Sequence, residues 1–212
     1  MMGRAIVGLL SGMLLGFLGS AWAEERPADM EMTMDTRDKA TFAGGGFWCM
    51  EHPFDDVDGV TATTVGYTGG PEVNPAYQQV ASGQTGHAEA IEVMYDPATV
   101  TYTRLLEVFW RNIDPTTLNK QFADVGTQYR TAIFYHTEAQ RRAALESKEQ
   151  LGRSGKFTNP IVTEITPASA FYPAEEYHQE YYKTHPIRYR LYRVGSGRDG
   201  FLKRVWGSPS DE

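Results

Sequence analysis

Cysteine is the scarcest reactive residue in this 212-residue sequence, which contains only one, Cys49. A single cysteine cannot form a disulfide within the chain, so the fold must be stabilised by its core. It also cannot supply the several thiolates of a zinc–cysteine site. An unpaired thiol in an oxidising compartment is a liability unless it is buried or used. We expect this one to be used.

Histidine and basic residues are also few. None of the five histidines is spaced from another as in a zinc motif, so no metal site is expected. Lys and Arg together number 20 against 27 Asp and Glu, which gives a formal net charge of −7. No basic stripe interrupts this acidic balance. It argues against nucleic acid and anionic membrane surfaces as partners.

Long apolar runs are absent after residue 18. The run at 6–18 follows Arg4 and precedes Ala21-Trp22-Ala23, a pattern that predicts a secretory signal peptide over residues 1–23. A transmembrane anchor is the alternative, but the run is short and lacks a basic flank after it. We therefore expect an exported chain, periplasmic or secreted, with no membrane attachment after signal removal.

The rest of the chain divides by composition. Residues 24–38 are polar and acidic without apolar periodicity, which predicts a mobile leader. Residues 39–207 have the length of one domain and can bury a proper core, and residues 208–212 are predicted to be a tail.

Apolar periodicity in the domain predicts strands that alternate with helices. Strands are predicted at 39–43, 60–67, 87–95, 131–135 and 161–165. Helices are predicted near 47–57, at 101–113, from a capping box at 137–140, and as one segment over 175–182, with a long polar loop at 115–127. The link between the second and third strands is too short for a helical crossover. These elements predict an α+β fold, a two-layer α/β sandwich with a ferredoxin-like mixed sheet and helices mainly on one face.

The segment around the cysteine is the most informative part of the domain. Three glycines, 44–46, follow a strand and precede Phe47, Trp48 and Cys49, which open an apolar helical pattern. A helix N-terminus offers unpaired N–H groups and partial positive charge, and both stabilise a thiolate. The pattern indicates a redox thiol beside an apolar aromatic pocket.

Glu89 is the second residue that the pattern singles out. By strand alternation it shares a face with Ile91, Val93 and Tyr95, the apolar face. A carboxyl placed there is desolvated and stays protonated at neutral pH, as a proton donor requires. The alternative is a residue at the strand end that reaches solvent or a basic partner, and the pattern alone does not separate the two.

Three further polar residues are candidates for binding. Tyr77 and Tyr129 lie in polar segments and could donate hydrogen bonds to a substrate, although such tyrosines often only close the edge of a core. Asp124 lies in the long polar loop, where a turn role is the alternative.

Seven short motifs occur in an order that resembles the A-type peptide methionine sulfoxide reductases over essentially the whole domain. They are Gly45-Gly46-Phe47-Trp48-Cys49-Met50-Glu51, Gly66-Tyr67-Thr68-Gly69-Gly70, Asn74-Pro75-Ala76-Tyr77, Gly86-His87-Ala88-Glu89-Ala90, Tyr95-Asp96-Pro97, Gly126-Thr127-Gln128-Tyr129-Arg130 and Tyr177-His178-Gln179.

The resemblance implies a reaction and a role for each candidate. In that family a thiolate attacks the sulfoxide sulfur while a buried glutamic acid, here matching Glu89, protonates the oxygen. The residues matching Phe47 and Trp48 hold the methyl group of methionine sulfoxide. Those matching Tyr77, Tyr129 and Asp124 position its oxygen. The products are methionine and a cysteine sulfenic acid, which a second thiol must reduce.

The chain departs from the family motif at the nucleophile. The family has cysteine directly before Phe-Trp, whereas this chain has Gly46 there and its thiol three residues later. Helical side chains lean towards the N-terminus, so the Cys49 sulfur is expected to point back at the site. Three interpretations remain open: Cys49 acts as a displaced nucleophile, the domain is a catalytically silenced module that binds oxidised methionine, or the thiol is inert.

The resemblance also defines the expected partners. The segment 195–198 has no cysteine where many relatives place a resolving thiol, so a sulfenic acid on Cys49 needs an external reductant. That reductant is expected to be a thioredoxin-like protein or a small thiol, with no bound cofactor. Oxidised proteins or peptides are the expected substrates, and the chain is expected to be a monomer.

Overall fold

The computed structural model of the protein describes residues 37–207. The predicted signal peptide, nearly all of the predicted leader and the tail at 208–212 lie outside the described residues. The first strand begins at Asp38, one residue before the predicted start of the domain. Within the described range, no helix has the length and apolar character needed to cross a bilayer.

The centre of the fold is a mixed sheet of six strands in the order β7-β6-β1-β3-β2-β8. Strands β6 and β7 pair in parallel, and the other neighbours in this sheet are antiparallel. Strands β4 and β5 form a separate small hairpin. The strands are β1 Asp38–Gly44, β2 Val60–Thr68, β3 Ala88–Tyr95, β4 Lys120–Gln121, β5 Asp124–Val125, β6 Thr131–Tyr135, β7 Glu164–Pro167 and β8 Tyr172–Pro173.

Seven α-helices surround this sheet in the described range. They are α1 Trp48–Asp55, α2 Tyr77–Ala81, α3 Tyr102–Trp110, α4 Glu138–Arg153, α5 Tyr181–Thr184, α6 Pro186–Gly195 and α7 Arg198–Trp206. Threonine begins two of them, because the Thr101 and Thr137 hydroxyls accept the backbone N–H groups of Arg104 and Gln140. Short 3₁₀ turns occupy Thr127–Tyr129 and Glu176–His178.

The main core lies between the sheet and helices α1, α3 and α4. Phe42 on β1 is its centre, stacked on Phe54 of α1 and Phe109 of α3 with ring centroids 5.2 and 5.1 Å apart. All three rings are fully buried, and burial of such side chains is the principal stabilising contribution to a fold of this size. The predicted α+β class with a mixed sheet is confirmed.

Several predicted boundaries are wrong for identifiable reasons. The last strand of the sheet's parallel edge is Glu164–Pro167, a few residues later than 161–165. The predicted single helix over 175–182 is two short helical segments, because Glu180 between them has a φ of 48°, in the left-handed region. In the predicted capping box, Gln140 accepts the N–H of His136 instead of that of Thr137. Helices α6 and α7 were not predicted from the sequence.

Candidate active site

The site begins at the turn that joins β1 to α1. Gly45 has a φ of +87°, which side chains other than glycine rarely adopt, and a Cβ on Gly44 would lie 2.6 Å from the Met50 sulfur. Both glycines are therefore needed for the tight passage from strand to helix. The turn places Phe47 and Trp48 at the start of α1, facing the end of β3.

An open cleft of about 150 Å³ lies at this turn, and we call it the aromatic cleft. Its walls come from the turn, α2, β3, β5, the 3₁₀ turn before β6, and α6. The lining residues are Gly46, Phe47, Trp48, Tyr77, Glu89, Asp124, Tyr129 and Tyr192. Six of the seven residues proposed from the sequence thus meet in one place, and Cys49 does not.

Glu89 supplies the one carboxyl of the cleft that is almost completely buried, with 3% of its surface exposed. Its Oε2 accepts the backbone N–H of Phe47 at 3.0 Å, the only hydrogen bond found for this side chain in the described part of the chain. Burial raises the pKa of Glu89 to about 8, against a smaller lowering by that hydrogen bond. The side chain is therefore an uncharged acid at neutral pH.

The phenol groups of the cleft are also held in their neutral form. Burial, followed by the nearby Glu89 carboxyl, raises the pKa values of Tyr77 and Tyr129. Each is half-buried, with its ring part of the wall. A neutral phenol can donate a hydrogen bond to an oxygen atom held between the two rings.

Tyr192 is a cleft residue that the sequence analysis missed. It lies on α6, and its hydroxyl donates a short hydrogen bond to Oδ2 of Asp124. Burial raises the pKa of Tyr192, and the hydrogen bond to Asp124 raises it further. The spacing of Tyr189 and Tyr192, three residues apart in a run rich in Arg and Tyr, was the available signal, since it places both rings on one helix face.

Cys49 is not among the residues that line the aromatic cleft. It has no exposed surface and packs with Tyr181 of α5 and Tyr189 of α6. The Trp48 ring stacks on Tyr181 with centroids 3.7 Å apart and is also packed against this cluster. Residue 49 thus packs towards α5 and α6, and the orientation of its sulfur towards the cleft stays a prediction.

The surroundings of Cys49 favour the thiol over the thiolate. Burial raises its pKa, and the positive charges of Arg198 and Arg193 lower it by less. Arg193 also donates to the backbone oxygen of Cys49 at 3.0 Å, which ties α6 to α1. In this arrangement the thiol is neutral and has no exposed surface, and we call the arrangement closed.

Gly46 occupies the cleft position at which the family motif has its cysteine. A Cβ at this residue would lie 2.8 Å from the Tyr192 hydroxyl oxygen and 3.1 Å from Oδ2 of Asp124. The Tyr192–Asp124 pair thus fills much of the space where a side chain at position 46 would begin. No group of three or more potential metal ligands occurs within residues 37–207.

Comparison with known proteins agrees with this geometry. A family model described as peptide methionine sulfoxide reductase matches residues 38–210. The peptide methionine sulfoxide reductase MsrA of Bacillus licheniformis is 54% identical over 178 residues, which cover 84% of this chain and 98% of that protein.

Solved structures show the same likeness. Mxr1 from Saccharomyces cerevisiae in its reduced form has a TM-score of 0.68 at 37% identity, covering 72% of this chain and 87% of that chain. The structure of Mxr1 in complex with Trx2 has a TM-score of 0.50 at 29% identity, covering 71% and 91%. Sequence, fold and the assembled cleft agree, and the chain belongs to the A-type peptide methionine sulfoxide reductases, a family of oxidoreductases.

Proposed function

We propose that this chain reduces methionine (S)-sulfoxide in proteins and peptides, with Glu89 as proton donor and Cys49 as the reacting thiol. The aromatic cleft is the observation that carries the proposal. It combines apolar rings with an uncharged buried acid and neutral phenols, which together suit a small group that is part methyl and part strongly polar oxygen.

Recognition divides between the two chemistries of the sulfoxide. The rings of Phe47 and Trp48 contact the methyl group, because apolar surface there excludes water without offering a hydrogen bond. The hydroxyls of Tyr77 and Tyr129 donate to the sulfoxide oxygen, and Asp124 orients the hydroxyl of Tyr192 beside them. A thioether lacks that oxygen, so the product is held less tightly than the substrate.

Glu89 supplies the proton that makes the oxygen a leaving group. With a pKa of about 8 it is protonated at neutral pH, and its position in the cleft wall lets it reach a bound oxygen. Protonation weakens the sulfur–oxygen bond and makes the sulfur more electrophilic.

The redox step transfers one oxygen atom. As the Cys49 thiol attacks the sulfoxide sulfur, its own proton and the proton of Glu89 pass to the sulfoxide oxygen. A sulfur–sulfur bond forms, the sulfur–oxygen bond breaks to release water, and the Glu89 carboxylate takes up the proton that the next step releases. Water then cleaves the sulfur–sulfur bond, which gives methionine and a sulfenic acid on Cys49. The methionine sulfur is reduced by two electrons and the cysteine sulfur is oxidised by two.

This route requires the cover over Cys49 to open. We call Tyr181 and Tyr189, together with the Trp48 ring stacked on Tyr181, the aromatic cover. Moving α5 and α6 away from α1 would expose the sulfur and relieve the burial that raises its pKa. Arg193 and Arg198 would then be the nearest charges that favour the thiolate.

An external thiol must complete the cycle, because the chain has no second cysteine. Two reductant thiols convert the sulfenic acid to a thiol, with release of water and formation of the reductant's disulfide. The complex of yeast Mxr1 with Trx2 supports a thioredoxin-like partner for this chain. A small thiol is the other source. We further propose that the chain is exported and acts in the periplasm or outside the cell, on the basis of residues 1–23.

A second candidate function is recognition of oxidised methionine without turnover. It is considered because Gly46 stands in the cleft where the family has its nucleophile, and because Cys49 is buried and does not line the cleft. All the binding groups of the cleft remain in place under this alternative, so affinity for the sulfoxide does not distinguish the two functions. Measuring whether the bound sulfoxide is reduced does distinguish them.

The deciding experiment is turnover of a peptide containing methionine (S)-sulfoxide with dithiothreitol, followed by mass spectrometry for loss of one oxygen. We expect reduction by the wild-type protein and at least a hundredfold loss in Cys49→Ser. Binding of the sulfoxide peptide with no turnover would establish the second function instead. Failure to bind the peptide at all would refute both.

Gly46→Cys, with Gly46→Ser as its matched control, provides the complementary test. The new Cβ meets only the far end of Tyr192 and a carboxylate oxygen, so a small movement accommodates either residue. The cysteine variant is expected to gain at least tenfold in turnover, because it has a thiol in the cleft, and the serine variant is expected to gain nothing. Equal turnover in the two variants would show that a thiol at this position does not react.

A further inference from the structure

His178 is a buried residue next to the aromatic cleft, but it is not one of the cleft's lining residues. It ends the 3₁₀ turn Glu176–His178, and 1% of its surface is exposed. Its ring lies behind the cleft wall, with centroids 5.0 Å from Phe47, 5.6 Å from Trp48 and 4.5 Å from Tyr77. It therefore contacts three of the residues that form the cleft.

A hydrogen bond connects His178 to one of these walls. Nε1 of Trp48 donates to Nδ1 of His178 at 3.1 Å. The indole N–H can only donate, so Nδ1 must be unprotonated, and in the neutral ring the proton is on Nε2. Burial lowers the pKa of His178 and favours this neutral form. Among residues 37–207, the Nε2 atom has no hydrogen-bond partner, and Oε2 of Glu175 lies 4.0 Å away.

Glu175 forms hydrogen bonds to the other wall of the cleft, the one that contains Tyr77. Its Oε1 accepts the backbone N–H of Tyr77 at 2.9 Å, and its Oε2 accepts the hydroxyl of Tyr67 at 2.8 Å. The segment 175–178 therefore contacts both walls of the cleft. The Glu175 carboxylate binds the start of α2, and the His178 imidazole binds the Trp48 indole. Among the described contacts of His178, the charged group is the carboxylate of Glu175. The other titratable neighbours of its ring are the phenols of Tyr77 and Tyr177.

We propose that His178 is a positioning residue of this site, which orients the Trp48 indole by accepting its N–H and so shapes the wall that contacts the methyl group of the sulfoxide. The proposal rests on the proposed binding of methionine sulfoxide in the cleft. Without the imidazole, the half-buried indole N–H loses its acceptor, and the ring gains freedom to turn away from the cleft.

The hydrogen bond itself is tested by the ¹⁵N–¹H resonance of the Trp48 indole, assigned by its disappearance in Trp48→Phe. In the wild type we expect the downfield proton shift of a strong N–H···N bond. His178→Leu should move it upfield, whereas His178→Asn should keep it, because the asparagine Oδ1 takes the place of Nδ1. An unchanged resonance in His178→Leu would overturn the proposal whether or not the cleft binds a sulfoxide.

The effect on the site is tested by calorimetric binding of a peptide containing methionine (S)-sulfoxide. We expect His178→Leu to weaken the dissociation constant about tenfold and His178→Asn to remain within about threefold of the wild type. His136→Leu, which removes an imidazole that bonds Thr41 on β1, is the control and should bind as the wild type does. If His178→Leu fails to fold, His178→Gln, whose amide reaches the Nε2 position instead, takes its place.

The outcomes distinguish this proposal from the proposed function. If the wild type, His178→Leu and His178→Asn all bind the peptide with the same affinity, the role of His178 is overturned and the proposed function still stands. Equal weakening in both variants would also overturn it, because the loss would then be general and not that of an acceptor at Nδ1. No binding by the wild type would refute the proposed function, while the indole resonance would still report on the hydrogen bond.

Discussion

Burial acts on two reactive side chains of this protein with opposite chemical consequences. It raises the pKa of both Glu89 and Cys49. A proton donor must be protonated, so burial prepares Glu89 for its proposed role. A nucleophilic thiol must be ionised, so the same effect makes Cys49 unreactive in the closed conformation. The two residues therefore need different environments, and only Glu89 has the one it needs in this structure.

The raised pKa of Glu89 predicts a pH-dependent cost to stability. The folded protein holds a proton on Glu89 up to pH about 8, whereas the unfolded chain releases it near its ordinary value of 4.5. Between these values the native state binds more protons, so this residue's contribution to stability falls as pH rises. Glu89→Gln removes that dependence and keeps an oxygen to accept the Phe47 N–H.

Glu89→Gln is therefore expected to match the wild type near pH 4.5 and to exceed it by about 4 kcal/mol near pH 8. Urea unfolding of both proteins at the two pH values measures the difference. Glu92→Gln, on the same strand but beside Lys39, is the control and should show no comparable gain. A difference for Glu89→Gln that is equal at both pH values would show that the carboxyl is not buried as described.

At the scale of secondary structure, the sequence predicted the elements whose apolar side chains follow a period. Strands β1 and β2 and helix α3 appeared at or within a few residues of their predicted positions, because valine, leucine and phenylalanine mark their buried faces. Helix α6 was not predicted, since its buried face is built from tyrosines among arginines and carries little aliphatic signal. The break at Glu180 was not predicted because a left-handed glutamate has no sequence signature.

Helix α7 depends on a single buried arginine. Arg198, its first residue, is 1% exposed and donates to the backbone oxygens of Gly44 at the end of β1 and Asn112 after α3, at 3.0 and 2.6 Å. This places a positive charge beneath the glycine turn that supports the cleft. Because the bond to Gly44 is buried and the guanidinium joins the turn to the end of α3, Arg198 is part of the structure of the turn.

Replacing this side chain is expected to destabilise the whole domain. Arg198→Met keeps much of the volume but leaves two carbonyl oxygens without their donors, and we expect a loss of about 2–4 kcal/mol in the free energy of unfolding. Urea denaturation followed by circular dichroism measures it. Arg188→Met, at an exposed arginine of α6, is the matched control and should change stability by less than about 0.5 kcal/mol. Similar losses in the two variants would contradict the role assigned to Arg198.

Across the whole molecule, the cleft is assembled from residues spread between positions 46 and 192. Motif resemblance could name Phe47, Trp48, Tyr77, Glu89, Asp124 and Tyr129 as its members. It could not show that Tyr192 occupies the space beside Gly46, or that Cys49 lies beneath the aromatic cover. Those facts depend on how α5 and α6 pack against α1, which no local pattern in the sequence records.

The remaining question at this scale is whether Cys49 becomes accessible by local opening or only by global unfolding. Its rate of alkylation in the native protein answers it, because the chain has no other cysteine to take the label. If α5 and α6 open as a unit, labelling at low urea should be nearly independent of urea concentration. The opening free energy should then lie at least about 2 kcal/mol below the global value, which is typically 5–15 kcal/mol for a domain.

We expect this local behaviour, because turnover through Cys49 requires a sulfur that reaches the cleft while the cleft residues outside α5 and α6 stay in place. Adding the sulfoxide peptide at a saturating concentration should then keep the cleft folded, while Cys49 is still alkylated. The Cys49→Ser variant measures the background labelling. A labelling rate that instead rises with urea as steeply as global unfolding does would mean that the sulfur is reached only when the cleft no longer exists. Reduction by this thiol would then be physically excluded, and the intact cleft with Gly46 in its wall would be left as a site that binds oxidised methionine and releases it unchanged.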